Sequence, residues 1–196
     1  AVEGEKLSVY LRGEITQGVH VNFKNILDSL HPELPFGVAQ IGKAFRNEIT
    51  QGNFTYRLRE FEQMELQWYV KPDAAEAMRW FEYWKEERMK WYGSLGVKPG
   101  KLRFREHGAD ERAHYARAAW DIEYETPFGW KEAEGIHHRG DWDLSQHAKL
   151  SGQDLSYFDP HTRERVVPWV IETSCGVERP LLFVLLDAYE EDGERV

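Results

Sequence analysis

The stretch 41–65 reads IGKAFRNEITQGNFTYRLREFEQME, and its pattern predicts two strands joined by a polar loop. The loop at 50–53 holds Thr, Gln, Gly and Asn, which are typical turn residues. After the loop, residues 61–70 alternate with a period of two, as expected for a strand with two different faces. Because the segment before the loop, 36–44, is mostly apolar or small, the sequence predicts an antiparallel hairpin.

Charged side chains are concentrated on this hairpin. Residues two apart in a strand share a face, so Arg46 is expected beside Glu48, and Arg57 beside Arg59. Arginine binds phosphate through a planar fork, whereas glutamate can hold an ammonium group or a metal ion. The residues alone allow two interpretations: a site for a ligand with anionic and cationic groups, or a solvated, salt-bridged sheet face. Taken alone, they favour the second.

The same stretch resembles motif 2 of the class II aminoacyl-tRNA synthetases, whose signature is F-R-x-E followed by a loop and a second strand. The signature residues here are Phe45-Arg46-Asn47-Glu48, and the match continues to Glu65 almost without gaps. Within that class, the run is similar to glycyl-tRNA synthetases in particular. The resemblance therefore favours a ligand site on the hairpin.

A second element of the class lies near the end of the chain. Residues 170–179 read VIETSCGVER and resemble motif 3, which the family writes as V-I-E-P-S-A-G-V-D-R. Thr, Cys and Glu replace the family's Pro, Ala and Asp. The positions that agree with the motif and carry chemistry are Glu172, Ser174, Gly176 and Arg179.

A further strand candidate at 128–136 reads FGWKEAEGI and resembles the family's G-W-x-E-x-E-G-I strand. Glu132 and Glu134 are two apart, which predicts that their carboxylates share a face. The histidine pair at 137–138 suggests a metal site when considered alone, but its surroundings fit no tight ligand spacing. The family has an Arg and then an Asp after this strand, as this chain does, and we predict no zinc site.

The family's R-E-H and A-H-Y-A elements have matches at 105–107 and 113–116. We assign neither histidine a role as general base, because a carboxylate nucleophile is already ionised at neutral pH.

Residues 11–18 read LRGEITQG where family members commonly read L-R-P-E-T-A-Q-G, a loop with a glutamate close to the amino-acid pocket. Glu14 is retained, whereas Gly13, Ile15 and Thr16 differ from the family's residues. The residues alone also allow Glu14 to be a solvated loop carboxylate. The changes leave amino-acid specificity more open than the fold.

Helical spacing of apolar residues predicts three long helices. One covers about Val19–Leu30, one covers Asp73–Leu95 with Asp73 as N-cap, and one follows Arg179. The buried stripe predicted for the last helix consists of Leu181, Leu182, Leu185 and Ala188. Together with the resemblance, these elements predict an α+β fold of the class II synthetase type, with an antiparallel β-sheet flanked by α-helices.

The composition bounds the class of protein. A chain of 196 residues with 41% hydrophobic content is long enough for one domain with a real core. No apolar run approaches the roughly 20 residues that span a bilayer, and residues 1–6 show no signal-peptide pattern. With one cysteine, these features predict a cytoplasmic protein without a membrane partner. The net charge of −9 argues against a general nucleic-acid coat, so we predict no DNA partner.

The resemblance implies roles in amino-acid activation, in which a carboxylate attacks the α-phosphate of ATP. Arg46 would hold the α-phosphate and the substrate carboxylate, and Arg179 the γ-phosphate, which makes both catalytic. The other residues expected at ATP are Glu48, Arg57, Phe61, Glu132 and Glu172. Glu132 and Glu172 are also the candidate ligands for Mg²⁺. The candidates for binding the amino acid are Glu14, Glu65, Glu134 and Ser174.

The function implied by the resemblance is activation of glycine to glycyl-adenylate and transfer to the acceptor end of tRNA. We expect residues 1–196 to form a single catalytic core domain with motifs 2 and 3, and without motif 1 or an anticodon-binding domain. Since motif 1 builds the dimer in this class, a homodimer stays an open prediction. Two alternatives remain: a paralogue that adenylates a small amino acid for another acceptor, and a non-catalytic binding protein.

Overall fold

The computed structural model describes residues 8–52, 54–108, 110–113 and 116–193. His114 and Tyr115, from the A-H-Y-A match, and the segment 1–6 lie outside the described residues. The elements in chain order are α1 (Thr16–Leu30), β1 (Phe36–Phe45), β2 (Glu60–Val70), α2 (Ala74–Ser94), β3 (Leu102–Glu106), β4 (Ala118–Thr126), β5 (Gly129–Gly140), α3 (Trp142–Ser151), β6 (Tyr157–Phe158), β7 (Arg165–Val166), β8 (Trp169–Gly176) and α4 (Glu178–Ala188). In these described parts, no helix has the length and apolar character needed to cross a membrane.

The centre of the fold is a six-stranded antiparallel sheet in the order β1-β2-β8-β5-β4-β3. The predicted hairpin is present, with β1 and β2 paired from Phe36 opposite Tyr69 to Phe45 opposite Glu60. β2 and β8 lie far apart in the sequence but are paired neighbours in the sheet, and this pairing brings motif 2 beside motif 3. The predicted α+β fold, an antiparallel sheet flanked by helices, is therefore confirmed.

The two faces of the sheet differ in what covers them. One face packs against α2 and α4 in a hydrophobic cluster that contains Phe81, Tyr92, Ile136 and Phe183. On the other face, α1 contributes to a smaller cluster around Phe23. Because α1 and the elements near it cover only part of this second face, the remainder is open to solvent and forms a pocket.

The predicted helices are present, with differences at their ends and faces. Asp73 caps α2 by accepting a hydrogen bond from the Glu76 backbone N–H at 2.8 Å, as expected for an N-cap. The stripe predicted for α4 is wrong for three of its four residues, because Leu181 and Leu185 are 56% and 54% exposed and Ala188 is exposed as well. Phe183 stacks on a tyrosine of β4, and this contact turns the face shared by the two leucines away from the core.

A buried histidine links α1 to the sheet. The His20 ring is fully buried, and its Nδ1 shares a hydrogen bond of 3.1 Å with the Tyr69 hydroxyl. Its Nε2 has no hydrogen-bond partner among the described residues and lies 3.8 Å from the Asp143 carboxylate. Burial lowers the pKa of His20 to about 4, although the charge of Asp143 opposes the shift.

This burial predicts a pH-dependent loss of stability. The folded pKa of His20 lies below the unfolded value of about 6.5, so the unfolded chain binds the proton more readily and stability falls as the pH falls through this range. Between about pH 7 and about pH 5, His20 is expected to cost about 2 kcal/mol of unfolding free energy. Urea unfolding at the two pH values measures this loss of unfolding free energy. His20→Gln, which does not titrate, should lose about 2 kcal/mol less than wild type, and an equal loss in both proteins would contradict the assignment.

Candidate active site

Three central strands place the side chains of the pocket in rows. The register sets Glu65 of β2 opposite Ser174 of β8, and Ser174 opposite Gly135 of β5. Directly opposed residues of an antiparallel pair project from the same face, so these three positions form one row across the pocket floor. The first two carry polar groups, whereas the third has no side chain.

The next row along the strands carries more polar groups. Gln67 lies opposite Glu172, which in turn lies opposite His137. Glu172 is almost fully buried and accepts hydrogen bonds from the Gln67 amide at 2.8 Å and from an Arg139 Nη1 at 3.1 Å. The His137 Nδ1 lies 3.2 Å from the same carboxylate. Glu172 is therefore held by protein groups on several sides.

Glu65 occupies the centre of the site. Its carboxylate accepts hydrogen bonds from the Thr16 hydroxyl at 2.7 Å and from the Ser174 hydroxyl at 2.8 Å. Burial raises the pKa of Glu65, and the negative charge of Glu172 raises it further. A cation bound beside Glu65 would therefore be stabilised by the negative charges of Glu65 and Glu172.

Arg139 fixes the deepest part of the site. Its guanidinium contacts Asp143 of α3 through two nitrogens, at 2.7 and 3.0 Å, and contacts both oxygens of Glu172. Burial would raise the pKa of Glu172, but the hydrogen bond from His137 and the charge of Arg139 outweigh it and lower the pKa. Glu172 therefore stays ionised beside Glu65.

The opposite end of the pocket is cationic. The Arg46 guanidinium lies 5.3 Å from the centre of the Phe61 ring, and its Nε donates to the Gly13 carbonyl at 3.0 Å. Arg179 lies 4.5 Å from the centre of the Tyr56 ring and 2.9 Å from the Glu132 carboxylate. Two guanidiniums that each lie beside an aromatic ring make a surface for a planar or phosphorylated ligand.

The structure brings nearly all predicted site residues into this one pocket. Those that line it are Glu14, Arg46, Glu48, Arg57, Phe61, Glu65, Glu132, Glu172, Ser174 and Arg179. Their individual roles stay predictions. Sequence reasoning gave no role to Tyr56, Gln63, His137 and Arg139, which line it as well.

Thr16 is a second omission, and the sequence contained a signal for it. Its hydroxyl bonds Glu65, yet the sequence marked it only as a departure from the family's loop pattern. A small polar residue in place of an apolar one beside an expected binding glutamate could have been taken as a hydrogen-bond partner. The loop at 11–18 therefore contacts Glu65 through Thr16, one of the residues that differ from the family's pattern.

Glu134 is the one predicted residue that the pocket does not include. The prediction that it shares a face with Glu132 is wrong, because the pairing of β4 and β5 skips Ala133. This bulge sends Glu132 to the pocket and Glu134 under α2, where Arg88 binds its two oxygens at 2.6 and 3.1 Å. The structure therefore does not bring Glu134 to the pocket that the other predicted amino-acid-binding residues line.

The two carboxylates predicted to bind magnesium, Glu132 and Glu172, differ in how free their oxygens are. Among the residues that the structure describes, no group of three or more His, Cys, Asp and Glu side chains is arranged to hold a metal ion. Magnesium bound with a nucleotide needs only one or two carboxylates beside the phosphates. Glu132 lies half-exposed at the wall and fits such a role, whereas the oxygens of Glu172 are already occupied.

Comparisons with known proteins agree with this geometry. A sequence model of the tRNA synthetase class II core domain (G, H, P, S and T) matches residues 2–189. The fold resembles that of a Giardia lamblia prolyl-tRNA synthetase in complex with prolyl-adenylate, with a TM-score of 0.71 at 20% identity, over 94% of this chain and 36% of that one. The chain belongs to the class II tRNA synthetase core domain family, which confirms the predicted resemblance.

Within that family, the chain is similar to bacterial glycine–tRNA ligases. It is 50% identical to that of Treponema denticola over 185 residues, which cover 94% of this chain and 41% of the relative. It is 52% identical to that of Borreliella burgdorferi strain ZS7 over 194 residues, covering 97% of this chain and 43% of the relative. The chain thus spans about two fifths of the length of these relatives.

The buried pair beneath α2 yields a stability prediction. Arg88→Met leaves the almost fully buried Glu134 carboxylate without its cation and should cost about 3 kcal/mol of unfolding free energy, measured by urea denaturation. The control is Arg88→Met combined with Glu134→Leu, which removes both charges and should recover most of that loss. A single substitution no more destabilising than the double one would show that the unpaired Glu134 carboxylate is not the source of the loss.

Proposed function

We propose that this chain is the catalytic core of a glycine–tRNA ligase. It activates glycine with ATP to glycyl-adenylate and passes the glycyl group to the acceptor end of a glycine tRNA in the cytoplasm. The observation that carries the proposal is one pocket with an anionic end at Glu65 and a cationic end at Arg46 and Arg179. An amino acid and a triphosphate have the complementary charges. The names of the relatives support glycine as the substrate.

The cationic end suits the phosphoryl-transfer step. The substrate carboxylate attacks the α-phosphate in line, pyrophosphate leaves, and negative charge grows on the phosphoryl oxygens. Arg46 stabilises this charge beside the substrate carboxylate, and Arg179 holds the outer phosphates. Phe61 and Arg57 receive the base, with Glu48 beside them on the same hairpin. The adenylate bound to the prolyl-tRNA synthetase of similar fold supports this direction.

Magnesium fits at the wall of this end. Glu132 would hold the ion together with the phosphates, and the ion would neutralise charge on the triphosphate. Arg179 pairs with Glu132 and would give up part of this contact when the phosphates enter. The chain's own task there is to orient the triphosphate.

The anionic end suits the ammonium group of the amino acid. Glu65 and Ser174 lie in one row, with Glu14 at the pocket wall. An ammonium group donates three hydrogen bonds, which matches two carboxylates and one hydroxyl oxygen. Glycine offers no side chain to grip, so recognition has to come from this ammonium contact and from exclusion of larger substrates.

One alternative function differs from the proposal only in the molecule that accepts the activated amino acid. The altered loop at 13–16 leaves room for a paralogue that activates a small amino acid for another acceptor. Charging of a glycine tRNA by the same preparation separates the two. The non-catalytic alternative is less favoured, because a pocket with both charge types would have no evident use in it.

Pyrophosphate exchange tests the activation step. The chain should exchange labelled pyrophosphate into ATP when glycine is present, and Arg179→Ala and Arg46→Ala should each reduce kcat/KM by roughly 100-fold or more, because a transition-state charge contact is lost. The matched control is Arg79→Ala, an exposed arginine on α2 outside the pocket, which should change little. Folded protein that exchanges with no amino acid would overturn the proposed function.

Protonation of Glu65 should weaken glycine binding. Its pKa is raised by burial and by Glu172, so the carboxylate becomes neutral at a higher pH than an ordinary glutamate. The KM for glycine is therefore expected to rise as the pH falls from about 8 to about 6, while the KM for ATP changes less. Exchange kinetics over this range measure both. A flat glycine KM would show that Glu65 does not contact the ammonium group.

A further inference from the structure

The space left by Gly135, which has no side chain, is occupied by the ring of His137 from the neighbouring row. Gly135 completes the row of Glu65 and Ser174, and as a glycine it leaves space beside the proposed ammonium site. The His137 ring lies over that space. A Cβ built on Gly135 would come within 2.7 Å of the ring Cε1 and 3.3 Å of the ring Nε2.

The ring is held in this position. Its Nδ1 lies 3.2 Å from a carboxylate oxygen of Glu172, which is itself fixed by Arg139. The side chain retains 23% exposure and lines the same pocket as Glu65 and Ser174. The ring is therefore an anchored wall between two strands, with one side in contact with the protein and the other open to the pocket.

We propose that His137 is a specificity-determining residue, whose ring limits the amino-acid end of the pocket and excludes substrates that carry a Cβ. The inference deepens the proposed function and rests on it. Glycine places only hydrogen on its α-carbon, whereas alanine and serine would bring a carbon into the space that the ring takes. A pocket discriminates against one added methyl group by roughly 10- to 200-fold, which is the range that an anchored wall can supply.

A second role for the same residue has to be separated from this one. In that second role, His137 would orient the Glu172 carboxylate through the contact of its Nδ1 and would not touch the substrate. An orienting role depends on the hydrogen bond and would affect all amino acids alike. A wall depends on ring volume and changes the ratio between amino acids.

Three variants distinguish the roles. His137→Ala removes the ring and the hydrogen bond, His137→Asn removes the distal ring atoms Cε1 and Nε2 but keeps an amide that can donate to Glu172, and His137→Phe keeps a ring without the hydrogen bond. The readout is kcat/KM for glycine, alanine and serine in amino-acid-dependent pyrophosphate exchange by the 196-residue chain. Circular dichroism of each variant establishes that it is folded.

The inference expects the glycine-to-alanine ratio to fall at least about tenfold in the Ala and Asn variants and to stay near the wild-type value in the Phe variant. Wild-type exchange with glycine, together with an unchanged ratio in the Ala and Asn variants, would overturn the inference and leave the proposed function in place. A kcat/KM that falls alike for all three amino acids in the Ala and Phe variants, and stays near the wild-type value in the Asn variant, would assign His137 to orientation of Glu172 and also overturn it. Wild-type chain that exchanges with no amino acid would overturn the proposed function, and the inference would fall with it.

Discussion

The contact between Arg139 and its two carboxylates is the interaction on which the rest of the site depends. A guanidinium with 2% exposure joins β5 to α3 through Asp143 and to β8 through Glu172. Burying these charges is unfavourable unless the geometry is close to ideal, and here each carboxylate has two contacts with the fork. Because the hydrogen bond from His137 and the charge of Arg139 keep Glu172 ionised, burial and this negative charge together raise the pKa of Glu65, and the two carboxylates favour a cation at that end.

The two faces of the sheet have separate tasks, and a bulge at Ala133 divides them. On the face under α2, aromatic side chains and the Arg88 pair with Glu134 form a packed layer. On the other face, Glu132 reaches the pocket only because one residue of β5 is skipped in the pairing with β4. A regular strand would have placed both carboxylates on the same side, so the bulge determines which acid is structural and which is available to a ligand.

The charges along the pocket are arranged by strand register. The cationic groups lie near the ends of β1 and β8, whereas the anionic row lies two or more residues further along β2. A substrate with an ammonium group at one end and a carboxylate next to a triphosphate at the other fits this order. The hydroxyls of Thr16 and Ser174 already bond Glu65, so the site is organised before a ligand enters, and little reordering opposes binding.

Local periodicity and short motifs were enough to predict the antiparallel hairpin, the capped helix α2, the family and ten residues of the pocket. Sequence reasoning placed Glu134 wrongly and gave no role in the site to Thr16, His137 or Arg139. A bulge depends on how two strands pair, and the neighbours of a side chain depend on residues far away in the chain, such as Glu172 beside His137. Only the tertiary structure could decide these points, because alternation along one strand predicts a face, whereas contact across strands requires the register between them.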